Sequence, residues 1–310
     1  MQSNWEIVAS VADMIHPVYR ELIYKAAQGD IIHNDDTVMK ILDQMNLQYE
    51  ERKGRSGMFT SGFMSIAGDT RIALFLTDHN HVGENMADIL AKRSAALGPP
   101  IQMCDGLSRN TPKDFKTILA NCLAHARRKF VEVDRSFPQE CRYVLKTLEK
   151  VYENDAYTKD MHMSPEQRIK YHQENSSKPM GDLKTWLVAQ IDDKKVEPNS
   201  GLGQAISYML KHFKELTLFL RVPKAPLDNN LCEQVLKRAI LRRKNSLFYK
   251  TCHDAYIGDL FMSIIHTCSL CKANPFKYLK TLQQHSSSVT KNPEKWMPWN
   301  YEEMLSTAAE

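Results

Sequence analysis

Residues 31–42, IIHNDDTVMKIL, read as a mostly buried strand interrupted by two adjacent carboxylates, Asp35 and Asp36. Downstream, a basic, glycine-bearing link (Glu51–Gly57) leads to a second apolar run, Met58–Ile66. Gly68-Asp69 then turns the chain and RIALFLT (Arg71–Thr77) returns it, the signature of a hairpin. Upstream, residues 4–27 read as a helix, with Val8, Val11, Ile15 and Leu22 at helical spacing and Gly29 as its stop. Gly83–Ala95 is helical, Pro99-Pro100 ends it, and a short run, Ile101–Cys104, terminates at Asp105. Strands mixed with helices in this order imply an α/β or α+β sheet rather than a bundle.

Thr111-Pro112-Lys113-Asp114 has the residues of a helix start: a hydroxyl cap, proline at the first position and an acid in the first turn. Thr117–Leu123 is either the continuation of that helix or a fifth strand. From about 125 to 220 the pattern is almost wholly helical. Ser164-Pro165-Glu166-Gln167 has capping-box spacing, and Leu202, Ile206, Met209, Leu210, Phe213, Leu216 and Leu220 form one apolar stripe. Pro179, Pro198 and Pro223 separate the helices. Further helices are expected over Asp228–Leu241, over Ala255–Cys271 and from Asn274-Pro275 onward.

The 310 residues are 43% hydrophobic and 25% charged, which fits a globular chain of about two domains and excludes a disordered or fibrous one. No apolar run reaches the ~18 residues of a membrane span, and the first twenty residues do not read as a signal peptide. Seven cysteines, an odd number without framework spacing, suggest reduced thiols in a cytosolic compartment. The formal charge is only +4, so clustering of charge carries more information than the total.

The acids carry the chemistry. Burying a carboxylate is costly, so Asp35 or Asp36 in one strand and Asp105 at the end of another call for cations or a metal ion; alternatively, Asp105 caps a loop. A hard divalent ion such as Mg²⁺ takes this kind of oxygen donor. A third acid sits on the helix that follows Leu227. There Leu231, Val235, Leu236 and Ala239 form the apolar side, Asn230, Glu233 and Lys237 share another face, and Asp228 suits the N-cap. Lys237, Arg238, Arg242, Arg243, Lys244 and Lys250 follow with no acid from 234 to 250, a footprint suited to phosphate backbones.

Five blocks of this sequence, in order, resemble those of the insertion-sequence-66 family of bacterial transposases: His33-Asn34-Asp35-Asp36-Thr37, Cys104-Asp105-Gly106, Cys122 through Phe130, Asp228 through Glu233, and Arg243-Lys244-Asn245. The segment Ile264 through Leu279 is similar to that family's C-terminal element. The resemblance implies a ribonuclease-H-like mixed-sheet core with a large all-helical insertion and a helical C-terminal element. It divides the chain into an N-terminal helix (1–30), a first part of the core (31–130), the insertion (131–224), the glutamate helix with its basic segment (225–250), and the C-terminal element (251–310).

The same resemblance implies a catalytic triad of Asp35, Asp105 and Glu233, spaced 70 and 128 residues apart. The triad would hold two Mg²⁺ ions, with Mn²⁺ as a substitute, for DNA cleavage and strand transfer. Arg127, Arg128, Lys237, Arg242, Arg243 and Lys244 are the expected phosphate contacts. The implied partners are double-stranded DNA at the element ends and target, other copies of the chain as a homo-oligomer on DNA, and accessory transposition proteins. No membrane is involved, and the location is the bacterial cytoplasm at the nucleoid. Two departures stand out. Gln234 occupies a position where the family has arginine, and residues 1–30 do not supply the family's upstream coiled-coil and DNA-binding region. The alternative is a truncated, non-catalytic remnant that binds DNA or an intact transposase.

Other signals are weaker. Cys122-x-x-His125 lacks a second pair for a zinc site, so a packing or DNA-facing role is expected. Cys268-x-x-Cys271 lies on an apolar helix face, where cysteine acts as a small hydrophobe. His33 accompanies the Asp35 strand. Trp296, Trp299 and Tyr301 are expected to be docking anchors, and no nucleophile-elbow motif supports hydrolase chemistry.

Overall fold

A computed structural model describes residues 4–45 and 57–307, so most of the basic link at 51–57 lies outside the described residues. In chain order the elements are α1 (Asn4–Ala27), β1 (Ile31–Met39), α2 (Leu42–Met45), β2 (Met58–Ala67), β3 (Thr70–Asp78), α3 (Val82–Leu90), β4 (Ile101–Cys104) and β5 (Ile118–Asn121). Six helices follow: α4 (Leu123–Val133), α5 (Pro138–Asp160), α6 (Pro165–Asn175), α7 (Ser177–Asp192), α8 (Gly201–Lys211) and α9 (Phe213–Leu216). The chain ends in α10 (Asn230–Ser246), α11 (Cys252–Leu270), α12 (Pro275–Gln284), α13 (Ser286–Lys291) and α14 (Tyr301–Thr307). The protein is therefore mixed α/β, with five strands among the described residues. It divides into two units. One comprises Met1–Pro100, Leu107–Thr117 and Asn230–Glu310, and the other Ile101–Gly106 and Ile118–Asn229.

The first unit is built on an antiparallel meander. β1 pairs with β2 from Ile31↔Ile66 to Met39↔Met58, and β2 pairs with β3 from Phe59↔Asp78 to Ala67↔Thr70. The β2–β3 turn is the two residues Gly68-Asp69, with Gly68 at φ 57, a conformation open to glycine at little cost. One sheet face turns Ile32, Phe63, Ile72 and Leu74 into a core with Ile15, Val18 and Leu22 of α1 and Met86 and Ile89 of α3. Each such side chain stabilises the fold by roughly 1.5–3 kcal/mol when fully buried. The other face turns Met64, Ala73 and Phe75 toward Val235 and Ala239 of α10.

β3 is the outer strand, and an outer strand exposes unpaired backbone groups. Helix α11 covers them with one row of side chains, four residues apart. Asp259 Oδ2 accepts from Thr77 N at 2.6 Å, Ser263 Oγ from Phe75 N at 2.9 Å, and Thr267 Oγ1 from Ala73 N at 3.1 Å. Tyr19 of α1 adds a hydrogen bond from its hydroxyl to Phe75 O at 3.1 Å. Trp296 and Tyr301 are buried in the same core and Trp299 packs against it, as docking anchors should. Cys268 is buried there too.

The second unit joins the parallel pair β4 and β5, in register from Ile101↔Ile118 to Cys104↔Asn121, to helices α4–α9. The two ends of the helical excursion meet at its base. Leu123 N donates to Leu227 O at 2.9 Å, and Asn229 N donates to Cys122 Sγ at 3.2 Å. Within the excursion the Ser164 capping box forms as expected. Asp155 is buried and binds Arg168 at 2.7 Å, Lys159 at 2.6 Å and His172 at 3.3 Å. Burial pushes its carboxyl up, but His172, Arg168 and Lys159 outweigh burial and hold it well below the usual carboxylate range.

Several expectations are corrected. The strand from Ile31 ends at Met39, and Leu42–Met45 is a helical turn, because Lys40 and Leu42 give their backbone groups to Tyr249. The helix after β3 runs Val82–Leu90 rather than to Ala95, because Arg93 beyond it donates to Ala27 O and Gly29 O. No helix starts at Thr111. A single 3-10 turn spans Ser108–Asn110, and Ile118–Asn121 pairs in parallel with β4 instead of continuing a helix from Thr111. The stripe from Leu202 to Leu220 is broken at His212 and Thr217 into α8, α9 and a 3-10 turn. Helix α10 begins at Asn230, so Asp228 precedes the cap position. Among the described residues no helix is long and apolar enough to cross a membrane.

Candidate active site

Strand alternation separates the two adjacent aspartates. Asp36 lies on the face that Ile32 shares with α1 and α3. Its carboxylate, 4% exposed, meets Arg109 at 3.5 Å and His81 Nδ1 at 3.3 Å. Asp35 lies on the opposite face, with its cross-strand partner Gly62. The Asp36 backbone N–H donates to Asp35 Oδ1 at 2.8 Å, which ties the two together. Asp36 is thereby committed to an ion pair, and Asp35 is turned toward α10.

Gly62 determines how near α10 comes. A Cβ at this position would sit 2.7 Å from Leu236 Cδ2, 2.9 Å from Leu236 Cγ and 3.7 Å from Val235 Cγ1. The helix therefore rests on strand backbone directly beside Asp35, and the Cys232 thiol donates to Gly62 O at 3.2 Å. Glu233, the residue after Cys232, is half-buried at the edge of this packed face. The first unit thus brings Asp35 and Glu233 onto adjoining elements.

The basic run on α10 divides into two groups. Arg243 donates to Thr37 Oγ1 at 3.1 Å and to Val38 O, which fastens the far end of α10 to β1. Arg242 stacks over the Tyr249 ring, 4.4 Å from its centroid. Both guanidiniums are employed within the fold. Lys237, Arg238 and Lys244 are exposed and face solvent along the same helix.

Asp105 belongs to the second unit, at the C-terminal end of β4. Asn121 Nδ2 donates to Asp105 O at 3.2 Å, and Gly106 N donates to Tyr208 Oη at 3.2 Å. Tyr208 and His212, one turn apart at the end of α8, pack with their rings tilted by 50° and centroids 4.8 Å apart. A Cβ on Gly106 would come within 2.8 Å of Tyr208 Oη and 2.9 Å of His212 Nε2. Burial pushes the Tyr208 hydroxyl up, as does the Asp105 carboxylate. Burial and Lys211 push His212 down, while Glu215 and Asp105 oppose them. Arg127 and Arg128 are exposed on α4, and Lys129 lies over the Tyr208 ring at 4.6 Å.

Cys122 is a packing residue. It is fully buried, its sulfur accepts from Asn229 N, and burial pushes its thiol up to about 11. His125 is half-buried one turn along α4. As to metals, Asp35 and Glu233 offer hard carboxylate oxygens from two elements. Among the described residues no three His, Cys, Asp or Glu side chains gather into a cage. The sequence pattern missed Gly62, although a glycine inside a strand is a signal of close backbone approach. Nothing in the sequence pointed to Arg109, Tyr208 or Asn121 as neighbours of the aspartates.

The family model described as "Transposase IS66 family" matches residues 3–256. Three proteins of Sinorhizobium fredii are similar to this chain. "Uncharacterized protein y4jD" is 32% identical over 187 residues, covering 59% of this chain and 36% of its own length. "Uncharacterized protein y4hP" is 26% identical over 196 residues, covering 59% and 35%. "Uncharacterized protein y4qI" is 26% identical over 235 residues, covering 69% and 41%. The chain thus spans about a third to two fifths of the length of the curated relatives it matches. No solved structure matches it.

Proposed function

The chain belongs to the transposase IS66 family, and from that premise we propose that it carries the catalytic centre for cutting DNA strands and joining them to a target. Asp35, Asp105 and Glu233 are the carboxylates of this centre, in a core of ribonuclease-H-like type. The observation that carries the reading is the contact of α10 with Gly62, which sets Glu233 beside the strand face that bears Asp35. Mg²⁺ suits these donors, because it needs only one or two carboxylates and completes its octahedron with water and phosphate oxygens. When bound, such ions lower the pKa of an attacking water or hydroxyl and stabilise the charge on the leaving oxygen.

The chain's own residues do the positioning. Asp35 is held by the Asp36 N–H and by the β1–β2 ladder, and Glu233 by the packing of Cys232, Val235 and Leu236. Lys237, Arg238 and Lys244, with Arg127 and Arg128, hold the phosphate backbone so that the attacking and leaving oxygens lie in line. Hydrolysis and strand transfer are both in-line displacements at phosphorus, so one centre serves both.

The test is nicking of supercoiled plasmid in Mg²⁺, with the nicks scored for 3′-hydroxyl ends by polymerase extension. Asp35→Asn, Asp105→Asn and Glu233→Gln should each abolish nicking, while Asp36→Asn, on the opposite face, should retain most of it. Nicking that survives both Asp35→Asn and Glu233→Gln would overturn the assignment.

A further inference from the structure

The peptide unit joining Asp105 to Gly106 is held at both of its polar atoms by side chains of the same unit. Its carbonyl accepts from Asn121 Nδ2 at 3.2 Å, and its N–H donates to Tyr208 Oη at 3.2 Å. The two clamps come from distant parts of the sequence. Asn121 ends β5 and is buried, and Tyr208 stands on α8, deep in the helical excursion. Lys129 lies 4.6 Å above the Tyr208 ring, and the His212 ring packs beside it at a tilt, with centroids 4.8 Å apart. The turn can reach this pair only because residue 106 has no Cβ. A peptide plane held at both C=O and N–H steadies the backbone of the residue before it, and with it the Cα–Cβ bond from which that residue's side chain starts.

We propose that Tyr208 and Asn121 are positioning residues that anchor the backbone from which the Asp105 carboxylate projects, so that the helical excursion governs where that carboxylate is presented. This rests on Asp105 being one of the metal-holding carboxylates. Partners that orient a ligand from behind typically contribute tenfold to a hundredfold in metal affinity. Tyr208→Phe is the cleanest perturbation. It removes the hydroxyl that accepts from Gly106 N–H and keeps the ring under Lys129 and against His212. His212→Gln is the matching control, since it alters the packing around the turn and leaves both clamping hydrogen bonds in place.

The experiment is a Mn²⁺ titration of the full chain followed by electron paramagnetic resonance of the free ion, with thermal unfolding of each variant alongside. Wild type should bind Mn²⁺, Asp105→Asn should weaken binding by about tenfold or more, and Tyr208→Phe by about tenfold at an unchanged melting temperature. His212→Gln should stay within about twofold of wild type, well short of the tenfold effect. If Asp105→Asn weakens binding while Tyr208→Phe matches wild type, the clamp is wrong and Asp105 keeps its role. Equal losses in Tyr208→Phe and His212→Gln would also overturn the clamp, because general packing would then explain both. If Asp105→Asn binds like wild type, or wild type does not bind at all, the reading of Asp105 fails and the clamp with it.

Discussion

Replacing Gly62 by alanine tests the geometry on which the catalytic reading depends. The added methyl would lie 2.7 Å from Leu236 Cδ2 and 2.9 Å from Leu236 Cγ, about 1 Å inside the ordinary contact of ~3.5–4.0 Å. Leu236 is buried and cannot swing into solvent, so the strain is relieved by lifting the start of α10 from β2. Overpacking of this kind costs about 1–3 kcal/mol. Glu233 travels with the helix, and a displacement of ~1 Å at a reacting centre costs on the order of 100-fold in rate. Gly62→Ala should therefore lower the urea midpoint modestly and the plasmid-nicking rate severely. Leu236→Ala makes room for the new methyl, so the double variant should be less destabilised than the two single changes together, with a coupling of about 0.5–3 kcal/mol. Wild-type nicking by Gly62→Ala, or strictly additive effects in the double variant, would show that α10 is not seated on the strand beside Asp35.

Three further outcomes follow from the same structure. Alanine at Lys237, Arg238 and Lys244 should reduce the slope of log affinity against log salt by roughly 0.9 per lost phosphate contact, whereas Arg242→Ala, which removes a stacking residue, should chiefly lower stability; an unchanged slope in DNA titrations would assign the three exposed cations to solvent. Burial raises the Asp259 carboxyl from 3.8 to about 7 against its Thr77 hydrogen bonds and Arg242, with Asp78 adding to the rise. The native state then holds a proton that the unfolded chain has lost, so stability should fall as pH climbs from about 4 to about 7, by no more than about 4 kcal/mol. Asp259→Asn should flatten that part of the urea-unfolding profile, and an unchanged profile would refute the assignment. Asp155→Ala strands Arg168 and His172 in the second unit and should destabilise it by about 3–5 kcal/mol; because Asp155 is held low, its contribution in wild type should fade as pH drops below the usual carboxylate range, which acid titration of unfolding would reveal.

Much of the fold was legible because it rests on local patterns. Short apolar runs marked β1, β2 and β3, glycine marked the hairpin turn, and 3.6-residue spacing marked α1, α10 and α11. The failures have physical causes. Thr111-Pro112 carries the signals of a helix start, but Ile118–Asn121 is taken up by parallel pairing with β4, a contact that local sequence does not encode. The site was legible only in part. Two adjacent acids in a strand necessarily point to opposite faces, yet the sequence of that strand alone could not say which face met α10. The glycine opposite Asp35 decides it. Tyr208 was invisible for a simpler reason: it lies 102 residues from the turn it holds. The basic run illustrates the opposite error, since charge density alone does not distinguish Arg243, bonded to β1, from Lys244, which is exposed.

In the proposed function Asp35, Asp105 and Glu233 hold the same metal ions. Iron-directed backbone cleavage reads out which segments surround the bound ion. Fe²⁺ replaces Mg²⁺ in the full chain, ascorbate and peroxide generate hydroxyl radicals at the bound ion, and the fragments are mapped. Three clusters of cuts are expected, around Asp35, Asp105 and Glu233, all suppressed by excess Mg²⁺ and all lost together in Asp35→Asn. Cuts confined to one of the three segments, or cuts around Asp36 and Arg109 that persist in Asp35→Asn, would contradict that assignment.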